Sequence, residues 1–309
     1  MKTLIYDFAE CPLGERLDCA LRDLGLEVTH LHVVSDYSGV LQREHLADVD
    51  LLITRVFDHY SPELFSAAKT KFVATTHTDT SHFDVDFLRQ NSIALSNVPK
   101  YATTAVAELT LAMMLCLARQ IPTALEQTRR GNWNFTPLLG TQLHGKTLGI
   151  VGFGDIGQKL ADFAIALGMQ VLYSSRRKSS AALTEQVELD NLFSRSDFIS
   201  INLPLTQETE QSIGCRELAR LKNGACILCP SRSEIFNLAE LYEFVASNEV
   251  VVWFDELDPK WRNQFAALRH CYLTPDYGWF TKEAQERLEH ETLLNVESYL
   301  NGECRNRVV

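Results

Sequence analysis

The chain has no surplus of positive charge: 29 Lys and Arg stand against 40 Asp and Glu, a net charge of -11. That balance excludes a general partnership with nucleic acid or with an anionic membrane surface. An export signal is also missing. MKTLIYDFAE enters a strand pattern at once, and Asp7 and Glu10 fall where a secretory leader needs uninterrupted apolar residues, so a cytoplasmic protein is expected. The most apolar stretch, Leu109 to Ala118, lies between Glu108 and Arg119 and is too short to span a bilayer; it is expected to be a buried helix. There are no repeats and no tracts of disordered composition. With 309 residues, 46% of them hydrophobic, the chain has enough apolar surface for about two domains.

Cysteine is not scarce, but eight of them in a chain without an export signal imply free thiols rather than a disulfide framework. Cys226 and Cys229 form a C-x-x-C inside the apolar run Ala225 to Cys229. On a strand an odd separation puts the two side chains on opposite faces, which argues against a redox or zinc pair. No metal site is expected.

The most informative segment is KTLGIVGFGDIGQKLADFAIALGMQVLYSSRR at 146–177. It reads as a strand, a glycine-rich turn, a helix and a second strand. Gly152, Gly154 and Gly157 form G-x-G-x-x-G directly after Leu148 to Val151, where glycine permits the tight turn and lets the backbone approach a pyrophosphate held at the helix N-terminus. An NAD site places an Asp or Glu about 20 residues later, on the ribose hydroxyls. Here that position is Ser175, followed by Arg176, Arg177 and Lys178. The carboxylate that would repel a 2'-phosphate is missing and guanidinium groups that pair with one are present, so NADP(H) is expected over NAD(H).

Strand and helix patterns alternate along the chain. Strands are expected near 3–6, 51–54 and 72–75, with a helix near 15–24. A long helical segment, 104–120, precedes the linker-like GNWNFTPLLG at 131–140. Further strands are expected near 198–203, 225–229, 250–254 and 271–273. Helical spacing over 281–299, after the last strand, leaves that segment free to return to the first domain, which would then be discontinuous. This is an α/β protein with parallel sheets.

Several segments together resemble the D-isomer-specific 2-hydroxyacid dehydrogenase family, in particular its glyoxylate and hydroxypyruvate reductases. They are SNVPKYATTAVAELTLAMMLCLAR at 96–119, LHGKTLGIVGFGDIG at 143–157, INLPLTQET at 201–209, LKNGACILCPSR at 221–232 and TPDYGWFT at 274–281. The resemblance implies two Rossmann-like doubly wound domains. Residues 1–100 plus 281–309 would form a flavodoxin-like substrate domain, and 101–280 the NAD(P)-binding domain. It implies reversible hydride transfer between a nicotinamide and a small 2-keto or 2-hydroxy acid, and a homodimer formed around 104–120. For the cofactor it implies Gly152, Gly154, Asp155, Ile156 and Gly157 at the loop, with Ser175, Arg176 and Arg177 after the second strand. Pro204, Thr209, Pro230 and Asp255 complete that set.

For the substrate the resemblance implies Arg232, as the guanidinium that binds the carboxylate and polarises the carbonyl. The other two family positions depart from the pattern. Where the family has Thr-Pro-His, this chain has Thr274, Pro275 and Asp276, and the family's glutamate before a proline corresponds to Asp258 before Pro259, with Glu256 a weaker substitute. The family's glycine-containing substrate loop appears as Thr78, Asp79, Thr80 and Ser81, and Lys100 stands where glycine is typical. Asp79, Thr80 and Lys100 are therefore the expected substrate contacts beside Arg232. His77, His82 and His270 are not placed to replace the missing histidine.

Three readings stay open at this point. In the first, Asp258 and Asp276 lie close together, one carboxyl rises toward neutrality, and Asp276 is the acid. In the second, the extra carboxylates hold an amine- or imine-bearing acid. In the third, the chain binds NADPH without catalysis, as a sensor or scaffold.

Overall fold

The computed structural model of the protein describes residues 1–10, 12–34, 40–66, 68–178, 181–303 and 305–309. It forms two compact units, Met1–Tyr101 with Lys282–Val309, and Ala102–Thr281. These limits fall one residue from those expected.

The first unit runs β1 (Lys2–Phe8), α1 (Glu15–Asp23), β2 (Glu27–Val33), α2 (Arg43–Leu46), β3 (Leu51–Thr54), α3 (Pro62–Phe65), β4 (Phe72–Thr75), α4 (Val85–Gln90) and β5 (Ala94–Ser96). All strands are parallel, in the order β2-β1-β3-β4-β5, the flavodoxin-like arrangement. Strands β3 and β4 are buried at every residue, as a parallel strand covered on both faces requires. Asp84 caps α4 by accepting from the Phe87 amide at 2.9 Å, which satisfies one of the donors a helix start leaves open. The C-terminal helix, Lys282–Leu300, returns to this sheet. Its Leu288 and Val296 are buried with Leu17 and Leu21 of α1 and with Phe72 of β4, and Tyr299 stacks on Phe72 at 4.2 Å.

The second unit begins with α5 (Thr103–Ala118) and α6 (Ile121–Arg129), then β6 (Thr147–Val151), α7 (Asp155–Ala166), β7 (Gln170–Ser174), β8 (Thr184–Gln186), α8 (Leu189–Arg195), β9 (Phe198–Ile201), α9 (Cys215–Leu218), β10 (Cys226–Cys229), α10 (Leu238–Ser247), β11 (Val251–Phe254), α11 (Arg262–Ala266) and β12 (Cys271–Leu273). The C-terminal helix is α12. The parallel order β12-β11-β10-β9-β6-β7-β8 is that of a doubly wound dinucleotide fold, with the direction of winding changing between β6 and β9. Side chains of β10 alternate between two cores: Cys226 and Leu228 face one, Ile227 and Cys229 the other. Burial pushes the Cys226 thiol up to about 12 and the Cys229 thiol upward as well, so both are inert. Cys11 and Cys304 lie outside the described residues; the six described cysteines are free.

Two expectations change. The helix α5 is not buried all round: Ala107, Thr110, Met114 and Ala118 form one buried stripe and Ala105 is buried on another side near its start, whereas Leu115 is exposed. Its apolar composition cannot show which face is covered. Strands β2, β5 and β8 carry too little apolar alternation to be seen in the sequence, and all three lie at or next to sheet edges, where one side stays open. Among the described residues no single helix is long and apolar enough to cross a membrane, and α5 and α6 are bent 63° from one another.

Candidate active site

The glycine loop leaves β6 at the switch between β6 and β9. Gly152 adopts φ +89°, and a Cβ there would lie 2.5 Å from the Asn202 carbonyl oxygen. A Cβ on Gly157 would lie 2.5 Å from the Gly152 oxygen, where α7 crosses its own loop. Gly154 faces open space. Two glycines are thus demanded by close backbone approach, and the third leaves room at the start of α7 beside Asp155 and Ile156. This cradle fits a dinucleotide pyrophosphate.

After β7, Ser175 is half-buried and Arg176, Arg177 and Lys178 are exposed. Arg176 Nη1 pairs with Glu208 Oε2 at 2.9 Å on the open surface. The Thr209 hydroxyl donates to the Pro204 carbonyl at 2.6 Å and accepts from the Thr206 amide at 2.8 Å, so its local work is to close the 204–209 turn. Pro230 follows β10 and is half-buried.

Arg232 comes two residues later, where the chain turns into a short 3-10 segment at Ser233–Ile235. Its Nη2 donates to Glu234 Oε1 at 2.8 Å, and its Nε lies 3.2 Å from Glu256 Oε1. Burial opposes ionisation of Glu234, but the hydrogen bond from Arg232 prevails and holds its carboxyl below the ordinary range. Glu256 behaves in the opposite way. Burial first, then Asp276 and Glu234, pushes it up to about 7 against the pull of Arg232 and Arg262.

Asp276 sits in the turn after β12, in the left-handed region at φ +52°, a conformation that aspartate tolerates better than most residues. Desolvation, then the charge of Asp255, pushes its carboxyl up to about 6 against Arg232 and Arg262. Asp276 is nonetheless exposed to solvent, so it can exchange protons with water. None of the groups acting on it is a histidine.

Asp255 holds this turn in place. Its buried carboxylate accepts from Thr274 Oγ1 at 2.7 Å, from the Tyr277 amide at 3.3 Å and from the Gly278 amide at 2.8 Å, while its carbonyl accepts from the Asp276 amide at 2.7 Å. Thr274 Oγ1 in turn accepts from Trp253 Nε1 at 2.9 Å. A Cβ on Gly278 would lie 2.7 Å from Asp255 Oδ2, so only glycine lets that amide approach.

In the first unit, the loop after β4 carries Asp79, whose carboxylate accepts from the Ser81 amide at 2.9 Å and from its hydroxyl at 2.7 Å. Thr80 closes the next turn by accepting from the Phe83 amide at 3.1 Å. Lys100 adopts φ +65°, which explains why a glycine is at home there. Burial pushes His77 down to about 4, and His82, packed among Phe57, Tyr60 and Phe83, down to about 3. Both are neutral near pH 7, so neither carries the imidazolium proton that a general acid gives.

Residues 111–278 match the profile of the NAD-binding domain of D-isomer specific 2-hydroxyacid dehydrogenases. The chain is 34% identical to a hydroxypyruvate reductase of Thermotoga maritima over 279 residues, covering 88% of this chain and 90% of the relative. It is 34% identical to a glyoxylate reductase of Thermococcus litoralis over 288 residues, covering 88% and 86%. The chain belongs to the D-isomer specific 2-hydroxyacid dehydrogenase family. Among solved structures, an acyclic imino acid reductase in complex with NADPH and D-arginine superposes with a TM-score of 0.90 at 26% identity over the whole of both chains.

This dehydrogenase therefore has a nicotinamide-binding domain, and its candidate site residues stand at the carboxyl ends of that domain's strands. Arg232, Glu234, Asp255, Glu256 and Asp276 come together there. Asp258, expected to be the partner of Asp276, is engaged in its own turn: its Oδ1 accepts from the Lys260 amide at 2.9 Å and its own amide donates to Ser233 Oγ. The shorter aspartate is absorbed by the turn that opens α11. Glu256 is instead the carboxyl that interacts with Asp276. Asp255, expected against the nicotinamide, uses both oxygens on the 274–278 turn. Glu234 was not foreseen, and its only signal was an acid two residues from Arg232.

Because Glu256 has a folded pKa of about 7 against an ordinary 4.5, the fold favours its protonated form. Its contribution to stability is full below about 4.5 and is lost as pH rises through about 7. Glu256→Gln should match the parent's thermal midpoint at pH 4 and exceed it at pH 8 by about 2–4 °C, the shift that ~1 kcal/mol produces in a domain of this size. An equal or lower midpoint at pH 8 refutes the assignment.

Proposed function

We propose that this chain is an NADPH-preferring reductase of small 2-keto acids, with Asp276 as proton donor in place of an imidazole. The observation that carries the reading is the raised carboxyl pair: Asp276 at about 6 and Glu256 at about 7, beside Arg232. Bound nicotinamide would supply the hydride to C2. Arg232 binds the substrate carboxylate, which requires Glu256 to give up its contact with Nε. Protonation of Glu256 near neutral pH makes that exchange favourable. The protonated Asp276 then gives its proton to the former carbonyl oxygen, and water on its open side restores it. Asp255 acts as a positioning residue by fixing the turn. The names of the hydroxypyruvate and glyoxylate reductases support small 2-keto acids as substrates.

A second reading is favoured by two observations. Arg232 contacts Glu234 and Glu256, and Asp276 adds a third carboxyl within electrostatic reach of it, with Arg262 the other cation acting on Glu256 and Asp276; the similar solved structure is named an imino acid reductase. An iminium carries its proton before reduction, so a carboxylate beside it stabilises the cation and no acid is needed. Turnover of glyoxylate or hydroxypyruvate with NADPH, falling as pH rises through about 6 to 7 and reduced about 10²- to 10⁴-fold in Asp276→Asn, is expected on the first reading. Turnover confined to mixtures of pyruvate with an amine, without loss at high pH, replaces it by the second. Cofactor binding with no turnover of either kind rejects both and leaves a sensor or scaffold.

The preference for NADP(H) rests on Ser175 in place of a carboxylate and on exposed Arg176 and Arg177 after β7. Arg176 leaves Glu208 at little cost, because exposed ion pairs contribute little. Arg176→Ala should raise the Kd of NADPH roughly 10- to 100-fold, the worth of a charged hydrogen bond, and leave that of NADH nearly unchanged; equal losses on both contradict it.

A homodimer is inferred from the run of exposed apolar residues that includes Leu125, Trp133, Phe135 and Leu139, the last three each at least 80% exposed. The surface thus extends past α5 into the segment after α6. Sedimentation should give twice the 35.0 kDa chain mass, reduced to one chain by Trp133→Asp with Phe135→Asp. A monomeric parent rules the dimer out.

A further inference from the structure

The edge strand β2 carries His30 and His32 in an H-x-H spacing. Alternation along a strand puts both rings on one face, and they stack with centroids 5.3 Å apart. The neighbouring strand β1 places Asp7 in register with His32, and Asp7 Oδ1 contacts His32 Nδ1. Asp7 is fully buried, and its other oxygen accepts from the Leu13 amide at 2.9 Å, so its direction is set by the backbone. One ligand atom from each of Asp7, His30 and His32 lies within 4.8 Å of the others. From α1, Asp18 Oδ1 holds His30 Nε2 at 3.0 Å and is itself fixed by Arg22 Nε at 2.8 Å.

We infer that Asp7, His30 and His32 form a binding site for a divalent cation of the zinc class. Two imidazoles and a carboxylate are the ligand types that zinc takes at about 2.0–2.2 Å, leaving a fourth position to water. Tetrahedral ligands at that distance stand about 3.4 Å apart, which small rotations of the half-exposed rings would reach. The Asp18–His30 bond supplies the outer carboxylate that orients a ligating imidazole. Calcium and magnesium prefer all-oxygen sites and do not suit two nitrogens. In the sheet, β1 and β3 separate β2 from β4, whose following loop carries Asp79. The cation would therefore clasp the edge strand to β1 rather than enter catalysis.

The test uses the full chain, stripped with EDTA and titrated with ZnCl₂ by calorimetry, with thermal midpoints recorded in parallel. Saturable uptake of zinc that raises the midpoint is expected. His30→Gln and His32→Gln should each weaken binding roughly 10- to 100-fold, the usual effect of losing a ligand or its support. Cys19→Ser, on the exposed face of α1, should bind as the parent does. The histidine variants carry the test because Asp7→Asn would also disturb the Leu13 amide. Absence of saturable uptake, undiminished binding in both histidine variants, loss of binding in Cys19→Ser, or equal competition by MgCl₂ overturns the site.

Discussion

The candidate site of this dehydrogenase depends on one buried carboxylate. Asp255 accepts three hydrogen bonds from the 274–278 turn and binds a fourth group, the Asp276 amide, through its carbonyl. A buried charge is tolerable only when donors satisfy it, and here the donors come from the segment that has to be placed. The same interaction that holds Asp276 in a left-handed conformation also sets a negative charge beside it, which helps to raise its carboxyl. Geometry and proton affinity are therefore coupled: a change that loosened the turn would shift both.

Around this hub the charges are arranged differently from a site with an imidazole. A histidine brings a cation when protonated; Asp276 brings at most neutrality. With Glu234 and Glu256 both against Arg232, burial and neighbouring carboxyls raise Glu256 to about 7, and burial with the charge of Asp255 raises Asp276 to about 6. A raised proton affinity is what a carboxyl-based acid needs near neutral pH. An excess of carboxylate is also what a cationic substrate needs, so one arrangement serves both chemistries proposed for it.

The buried histidines show the complementary case. His77 and His82 lie among aromatic rings, His77 also against the Arg55 carbonyl, and desolvation keeps both neutral. Their nearness in sequence to the loop after β4 would suggest a role in proton transfer, but low proton affinity removes it. On the edge strand, His30 and His32 sit instead beside buried Asp7 and half-buried Asp18, a setting that suits a cation.

Sequence alone determined much of this protein. Continuous apolar runs marked the buried parallel strands such as β3, β4 and β10, because strands covered on both faces need no polar alternation. The spacing of Gly152, Gly154 and Gly157 marked the dinucleotide loop, because close backbone contacts leave room only for glycine at Gly152 and Gly157. Segments between residues 96 and 281 marked the family, and with it the expectation for Arg232. Edge strands β2, β5 and β8 stayed hidden, since their open sides take polar residues freely. Only tertiary structure decided which carboxyl faces Asp276. Asp258 and Glu256 are two residues apart in the same segment, and which one caps a local turn and which one meets Arg232 depends on how α11 starts and on where β10 delivers the guanidinium. The proton affinities follow from the same packing, because desolvation and charge–charge contacts exist only after distant segments have met.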